Sequence, residues 1–295
     1  MRLHSILEDT KKEIAAAKRL RSIGDLKRMI RDASPVRSFK SALGKGFGII
    51  AEIKHSSPSA GIMRPENLEQ APLAYAKSPI VRAVSVLTNF THFGMGIEDL
   101  KRVKDLVHQP VLRKDFIFTE YQVYEARAFG ADAILLMANV LNREQLQHLF
   151  DLAREYQLDV LFESHTSEEI KSIPSGAEIY GINSRKFMAS KRWLFAKLGN
   201  RLGLGKSGKG IDPTVEINIF SQLVSELPKN AIKVAESGIK PNKISNIMEL
   251  GYDSVLVGTS LLKAQEGVQA ALAEFEKVIA PSNRTAPHFS DPVAA

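Results

Sequence analysis

The chain has 295 residues, 44% of them apolar, and a net charge of +7 with no cysteine. The lack of thiols excludes disulfides, thiolate nucleophiles and cysteine-ligated zinc or iron–sulfur sites, and the seven histidines form no close ligand-spaced group, so no metal is expected. No apolar run approaches the roughly 18 residues that cross a bilayer, and Met1-Arg2-Leu3-His4-Ser5 leads into charged helical sequence rather than a leader's apolar core, so a cytoplasmic protein without a membrane span is expected.

In chain order, residues 1–47 carry helical character and read as an N-terminal extension, a lid or plug for one end of the domain that follows. Ser5 is a candidate helix cap, with Glu8 three residues on as in a capping box. Short apolar runs then recur at 48–53, 81–87, 110–115, 132–137, 158–163, 177–183, 231–235 and 253–257, with helix-like segments between them. Eight such βα repeats predict a single (β/α)8 TIM barrel of the α/β class over 48–280, ahead of a doubly wound sheet. Residues 281–295 lack periodicity and contain several breakers, and are expected to be a disordered tail.

One segment interrupts the rhythm. About thirty residues follow Asn183 before the next helical pattern, where βα loops usually take two to six. This insertion, at about 186–212, is strongly basic: Ser184 to Ile211 holds eight Lys and Arg residues and no acid, and removing eight positive charges from a net +7 leaves −1. Its centre, 191–202, places Leu194, Leu198 and Leu202 at helical spacing beside Trp193. That pattern suits a basic amphipathic helix on a membrane or acidic partner, or a helix packing its apolar face on the barrel mouth. The Gly-Lys-Ser at 205–207 lacks the preceding glycine and strand of a phosphate-binding P-loop.

Barrel enzymes carry their chemistry at the C-terminal strand ends. Those ends here offer Glu52 and Lys54, which share one face of the first strand, then Lys114, Glu163, Asn183 and Glu236-Ser237-Gly238, with Gly258-Thr259 after the last. Five polar strand ends argue for a site, because buried charges are rare unless paired or used. His92 and His165 read as loop histidines.

With these residues in place, the chain resembles the indole-3-glycerol phosphate synthase family over about 6–265, apart from the long loop. The resemblance lies in Ala51-Glu52-Ile53-Lys54, Ser57-Pro58-Ser59-Ala60-Gly61, Ser85-Val86-Leu87-Thr88, Val111 to Ile117, Tyr124-Glu125-Ala126-Arg127, Gly181 to Arg185 and Val234 to Ile239. It implies conversion of 1-(o-carboxyphenylamino)-1-deoxyribulose 5-phosphate to indole-3-glycerol phosphate with loss of carbon dioxide and water, without a cofactor. Lys114 matches the family's general acid, expected to need a pKa lowered by burial or by a cation such as Lys54. Glu163 matches its base, and Glu52 and Lys54 match its paired groups. Asn183, Arg185, Glu236 and Ser237 match groups that orient the ribulose and the charged side chains. Ser57, Gly238, Gly258 and Thr259 are expected to hold phosphate, and Phe93 to pack on the aryl ring.

The chain departs from the family at Asn89 and Lys186, where an acid is usual, and at His55, often lysine. A divergent paralogue that binds a phosphorylated ligand or an anionic partner without catalysis is the alternative expectation. The expected partner is a small phosphorylated molecule, not nucleic acid, and the expected state is a monomer or weak homodimer.

Overall fold

The computed structural model describes residues 3–185 and 218–283. Eight parallel strands close into a barrel: β1 (Gly48–Ile53), β2 (Val81–Leu87), β3 (Val111–Lys114), β4 (Ala133–Met137), β5 (Asp159–Ser164), β6 (Ile179–Asn183), β7 (Ile232–Glu236) and β8 (Ser254–Val257), with β8 pairing back onto β1. Each observed strand begins and ends within two residues of the corresponding apolar run. Between β1 and the helix Pro65–Lys77 the chain adds a small antiparallel ribbon, Ser56–Ser57 with Gly61–Ile62.

Alternation along the strands sorts the core into two packed layers. Ala51, Ile53, Val84, Val86, Ile134 and Leu136 face outward onto the helices. Ile50, Ala83, Leu112, Leu135, Leu161, Val234 and Leu256 fill the interior. The outer face also holds a buried charge. Arg113 is 3% exposed, yet its guanidinium reaches Asp115 at 3.1 Å, Glu125 at 2.8 Å, Thr88 Oγ1 at 3.0 Å and the Gln122 carbonyl at 2.9 Å. Five donors in a rigid fork suit such a junction, and it ties the end of β3 to the helix Glu120–Ala128.

The N-terminal extension forms three helices: α1 (Leu3–Leu20), α2 (Ile23–Asp32) and α3 (Phe39–Leu43). Helix α1 is already formed at Leu3, so Ser5 lies within its first turn instead of capping it; the capping box occurs one helix later, at Ser22 and Asp25. Helix α3 serves the N-terminal end of the barrel. Phe39 and Leu43 join the interior cluster, the Lys40 backbone N–H donates to Asp159 at 2.9 Å, and Lys40 pairs with Glu178. Buried Asp132 completes that end, accepting from Arg37 N–H, Val111 N–H and Lys104. Helix α1 serves the opposite end, through Asn89 Nδ2 donating to Thr10 Oγ1 at 2.9 Å and Glu13 accepting from the N–H groups of Phe90 and Thr91.

The last helix, Val268–Asn283, runs three residues into the stretch expected to be tail. The whole basic insertion, 186–212, lies outside the described residues, as do 213–217 and 284–295. Among the described residues, no helix is long and apolar enough to cross a membrane, and no group of three His, Asp or Glu residues is spaced to hold a metal ion.

Candidate active site

A cavity of about 250 Å³ opens at the C-terminal ends of the strands. All thirteen residues singled out from the sequence line it: Glu52, Lys54, Ser57, Phe93, Lys114, Glu163, Asn183, Arg185, Glu236, Ser237, Gly238, Gly258 and Thr259. Four of them, Glu52, Lys114, Glu163 and Glu236, come from the odd-numbered strands β1, β3, β5 and β7. Barrel interiors stack side chains in layers of four drawn from alternate strands, so these residues form the uppermost layer, charged where the layers below are apolar.

Lys114 organises that layer. Its Nζ lies 3.0 Å from Glu163 Oε2 and 2.8 Å from Glu236 Oε2, and both carboxylates are 1% exposed. Burial opposes the ammonium, but the charges of Glu163, Glu236 and Glu52 outweigh it and raise the Lys114 pKa well above that of an ordinary lysine. This corrects the expectation that burial or a cationic neighbour lowers it: the neighbours are anions, and Lys54 is itself paired with Glu52. Burial pushes Glu236 up to about 7, with Lys114 opposing and the charge of Glu163 adding to the rise. Burial acts on Glu163 in the same direction, yet Lys114 and His165 overcome it and hold this carboxyl below the usual range.

Two glycines make room for these carboxylates. A Cβ on Gly181 would collide with Glu236 Oε1, and one on Gly258 with Glu52 Oε1, both closer than real Cβ contacts come. Gly258 therefore serves the charged layer as well as the cavity wall. Past Glu236 the chain turns through Ser237 and Gly238, both left-handed at φ 73° and 66°. Serine is strained in that region, and such strain clusters at ligand-binding turns. Ser260 Oγ donates to the Ile239 carbonyl at 2.6 Å, joining the loops after β7 and β8.

On the next wall, Asn183 Oδ1 accepts the Arg185 N–H at 2.9 Å, and the Arg185 side chain crosses to Ser59 Oγ at 2.8 Å. Ser57 Oγ accepts the Ala60 N–H at 3.1 Å. The remaining wall is apolar, built from Leu87, Phe93, Phe116, Leu135, Met137 and Leu256. Phe93 sits on a short helix, Phe90–Phe93, that α1 holds from outside through Asn89 and Glu13. Asn89 is thus a buried tie to α1.

The sequence model of the family described as "Indole-3-glycerol phosphate synthase" matches residues 3–190 and 212–275. The chain belongs to the indole-3-glycerol phosphate synthase family. An indole-3-glycerol phosphate synthase of Caldanaerobacter subterraneus subsp. tengcongensis is 36% identical over 283 residues, covering 95% of this chain and 99% of the relative. One of Koribacter versatilis is 35% identical over 269 residues, covering 89% and 94%. The family match breaks at 191–211, inside the basic insertion read from the sequence. Among solved structures, 3-hexulose-6-phosphate synthase from Salmonella typhimurium aligns with a TM-score of 0.54 at 13% identity, covering 80% of this chain and 99% of that one. Thiamine phosphate pyrophosphorylase from Pyrococcus furiosus aligns with 0.53 at 15%, covering 83% and 98%. At those identities the likeness concerns the barrel fold.

Sequence reasoning missed two ionisable residues, one lining the cavity and one beside it. Lys240 lines the cavity beyond Gly238. His165, read as a loop histidine, is 6% exposed and 3.6 Å from Glu163. The alternation that puts Glu52 and Lys54 on one face also puts Glu163 and His165 on one face, so the signal was present.

Proposed function

We propose that the chain converts 1-(o-carboxyphenylamino)-1-deoxyribulose 5-phosphate into indole-3-glycerol phosphate, releasing carbon dioxide and water, in the cytoplasm as a monomer or weak homodimer. The observation that carries the reading is Lys114 held between two buried carboxylates of unequal proton affinity at the centre of the cavity.

The aryl ring lies against Phe93 and the apolar wall, and the phosphate lies at the small-residue end formed by Ser57, Gly238, Gly258 and Thr259, where backbone N–H groups can approach an anion. Arg185 and Asn183 orient the ribulose hydroxyls between them. Ring closure forms a bond from the aromatic carbon bearing the carboxylate to the ribulose C2 carbonyl, and Lys114 gives its proton to the oxygen on which charge develops. A fully protonated ammonium is the form this step requires, and the surrounding carboxylates keep it so at neutral pH. Loss of carbon dioxide restores the benzene ring. Elimination of water then needs a base for the departing proton and an acid for the departing hydroxyl; Glu163 is the ionised carboxylate available for the first, with Glu52 and Lys54 as the paired groups on β1.

Purified protein incubated with the carboxyphenylamino substrate should develop the indole chromophore, and Lys114→Ala should not. Absence of turnover at high concentration of wild-type protein would overturn the proposal and favour a binding paralogue.

A further inference from the structure

Glu163 and Glu236 meet the same lysine at 3.0 and 2.8 Å and are equally buried, so neither burial nor Lys114 tells them apart. The reaction nonetheless needs one defined base. The two differ in what faces the oxygen that Lys114 leaves open. Glu236 Oε1 has no hydrogen-bond partner, lies over Gly181, and its residue pairs with no other cation among the described residues. Glu163 Oε1 also lacks a close hydrogen-bond partner but lies 3.6 Å from His165 Nε2, and the Asn183 side chain acts on the same carboxyl more weakly than His165 does.

His165 is held from behind. Its Nδ1 is 3.1 Å from Glu169 Oε2, and the same oxygen accepts the His165 backbone N–H at 2.6 Å. Glu169 is fixed in turn at the start of the helix Ser167–Ser172, where its N–H donates to Thr166 Oγ1 at 3.2 Å. A carboxylate on Nδ1 fixes the ring's orientation and aims Nε2 at Glu163. Among the described residues, the charged groups acting on the imidazole include Glu169 from that helix, Glu163 from the end of β5 and Glu236 from β7; they overcome burial and raise His165 above the usual histidine range. At 3.6 Å the Nε2 contact is an ion-pair distance, and such contacts often tighten only when substrate is bound.

We propose that His165, clamped by Glu169, is the positioning residue that makes Glu163, rather than Glu236, the ionised base of the cavity. The inference rests on the reading of the site given above. Two carboxyl groups whose environments push their proton affinities apart are how one site keeps separate acid and base roles.

The test compares kcat/KM against pH for the wild-type protein, His165→Gln and Glu169→Gln. Removing an opposite charge at ion-pair distance raises a carboxyl pKa by about one unit or more. The acid limb of the His165→Gln profile should therefore move to higher pH by about that much, with activity on this limb lowered about tenfold and activity on the alkaline side nearly kept. Glu169→Gln should shift the limb the same way by a smaller amount. A limb unmoved in both variants, or a uniform loss at every pH as mere loss of packing gives, would overturn the proposal. Should His165→Gln fail to fold, Glu169→Gln carries the test. A wild-type protein without turnover would overturn the proposed function instead. Titration of carbon-13-labelled glutamate carboxyls, with Glu163 assigned through Glu163→Gln, then reads the inference directly: an unchanged Glu163 titration in His165→Gln overturns it.

Discussion

Replacing Lys114 by methionine keeps the side-chain volume nearly constant and removes the charge. Glu163 and Glu236, both buried, are then left facing each other with Glu52 nearby. Like charges that close cannot both stay ionised, so the folded variant keeps at least one proton that the unfolded chain, with ordinary glutamates, releases above about pH 5. A carboxyl whose folded pKa is raised contributes stability that is complete below its unfolded pKa and is lost as pH rises through the folded value, at about 1.4 kcal/mol per unit per proton. Wild-type protein already follows this course through Glu236, but only as far as about 7. The variant should continue to lose stability beyond that point, so its deficit against wild type should widen by roughly 2 kcal/mol between about pH 7 and 8.5, within the ~3–5 kcal/mol typical of a broken buried ion pair. Urea unfolding followed by far-ultraviolet circular dichroism across this range gives both curves, and indole formation gives kcat, expected to fall by about 10²–10⁴. Parallel stability curves would refute the assignment of Lys114 as the cation that keeps both carboxylates tolerable, and residual activity above about a tenth would refute its role as the acid.

Glu236→Gln removes the carboxyl that is pushed up to about 7; relative to wild type its stability should improve as pH rises from about 5 to 8, by up to about 3 kcal/mol less what Lys114 loses, measured by urea midpoints. Gly181→Ala drives a Cβ into Glu236, so it should fold with a cost of about 1–3 kcal/mol yet lose most of its kcat, and retained activity would show that Glu236 can move without consequence. Arg113→Met leaves Asp115 and Glu125 buried without their cation, and should cost about 3–5 kcal/mol in a thermal or urea melt. Asn89→Ala cuts the tie between α1 and the Phe93 segment; at about 1 kcal/mol KM should rise about fivefold with kcat little changed.

The barrel was legible because its signal is repeated: eight apolar runs of strand length separated by helical stretches leave few alternative topologies, and each run met its strand within two residues. The site was legible for a related reason. Polar side chains at inward-facing positions of several strand ends have no structural use in an apolar interior, so Glu52, Lys114, Glu163 and Glu236 stood out without coordinates. What escaped were matters of distance and partner. Whether a carboxylate or an ammonium lies beside Lys114 depends on the shear that stacks alternate strands, and no single strand's sequence carries that number; hence a lowered pKa was expected and a raised one was found. Asn89 read as a lost acid at the site, whereas its partner Thr10 lies 79 positions away on α1. Ser5 misled for the opposite reason, since a local capping pattern recurs at Ser22 and Asp25, where the helix boundary falls.

A lysine whose proton affinity is raised is still a competent acid here, because the oxyanion formed on ring closure is a stronger base than an amine, and the proton moves toward it once charge develops. The consequence lies in the next step. A discharged Lys114 amine sits 2.8 Å from Glu236, the carboxyl of the ring whose acid form is populated near neutral pH because its pKa is about 7. Glu236 can therefore return a proton to Lys114, while Glu163, with His165 beside its other oxygen, stays ionised when Lys114 is briefly neutral. A ring built from one ammonium and two identical carboxylates would exchange protons among its own members. Placing a glycine opposite one carboxylate and a clamped histidine opposite the other makes the two unequal, so Glu236 is the member that exchanges with Lys114 while Glu163 is left to act on the substrate.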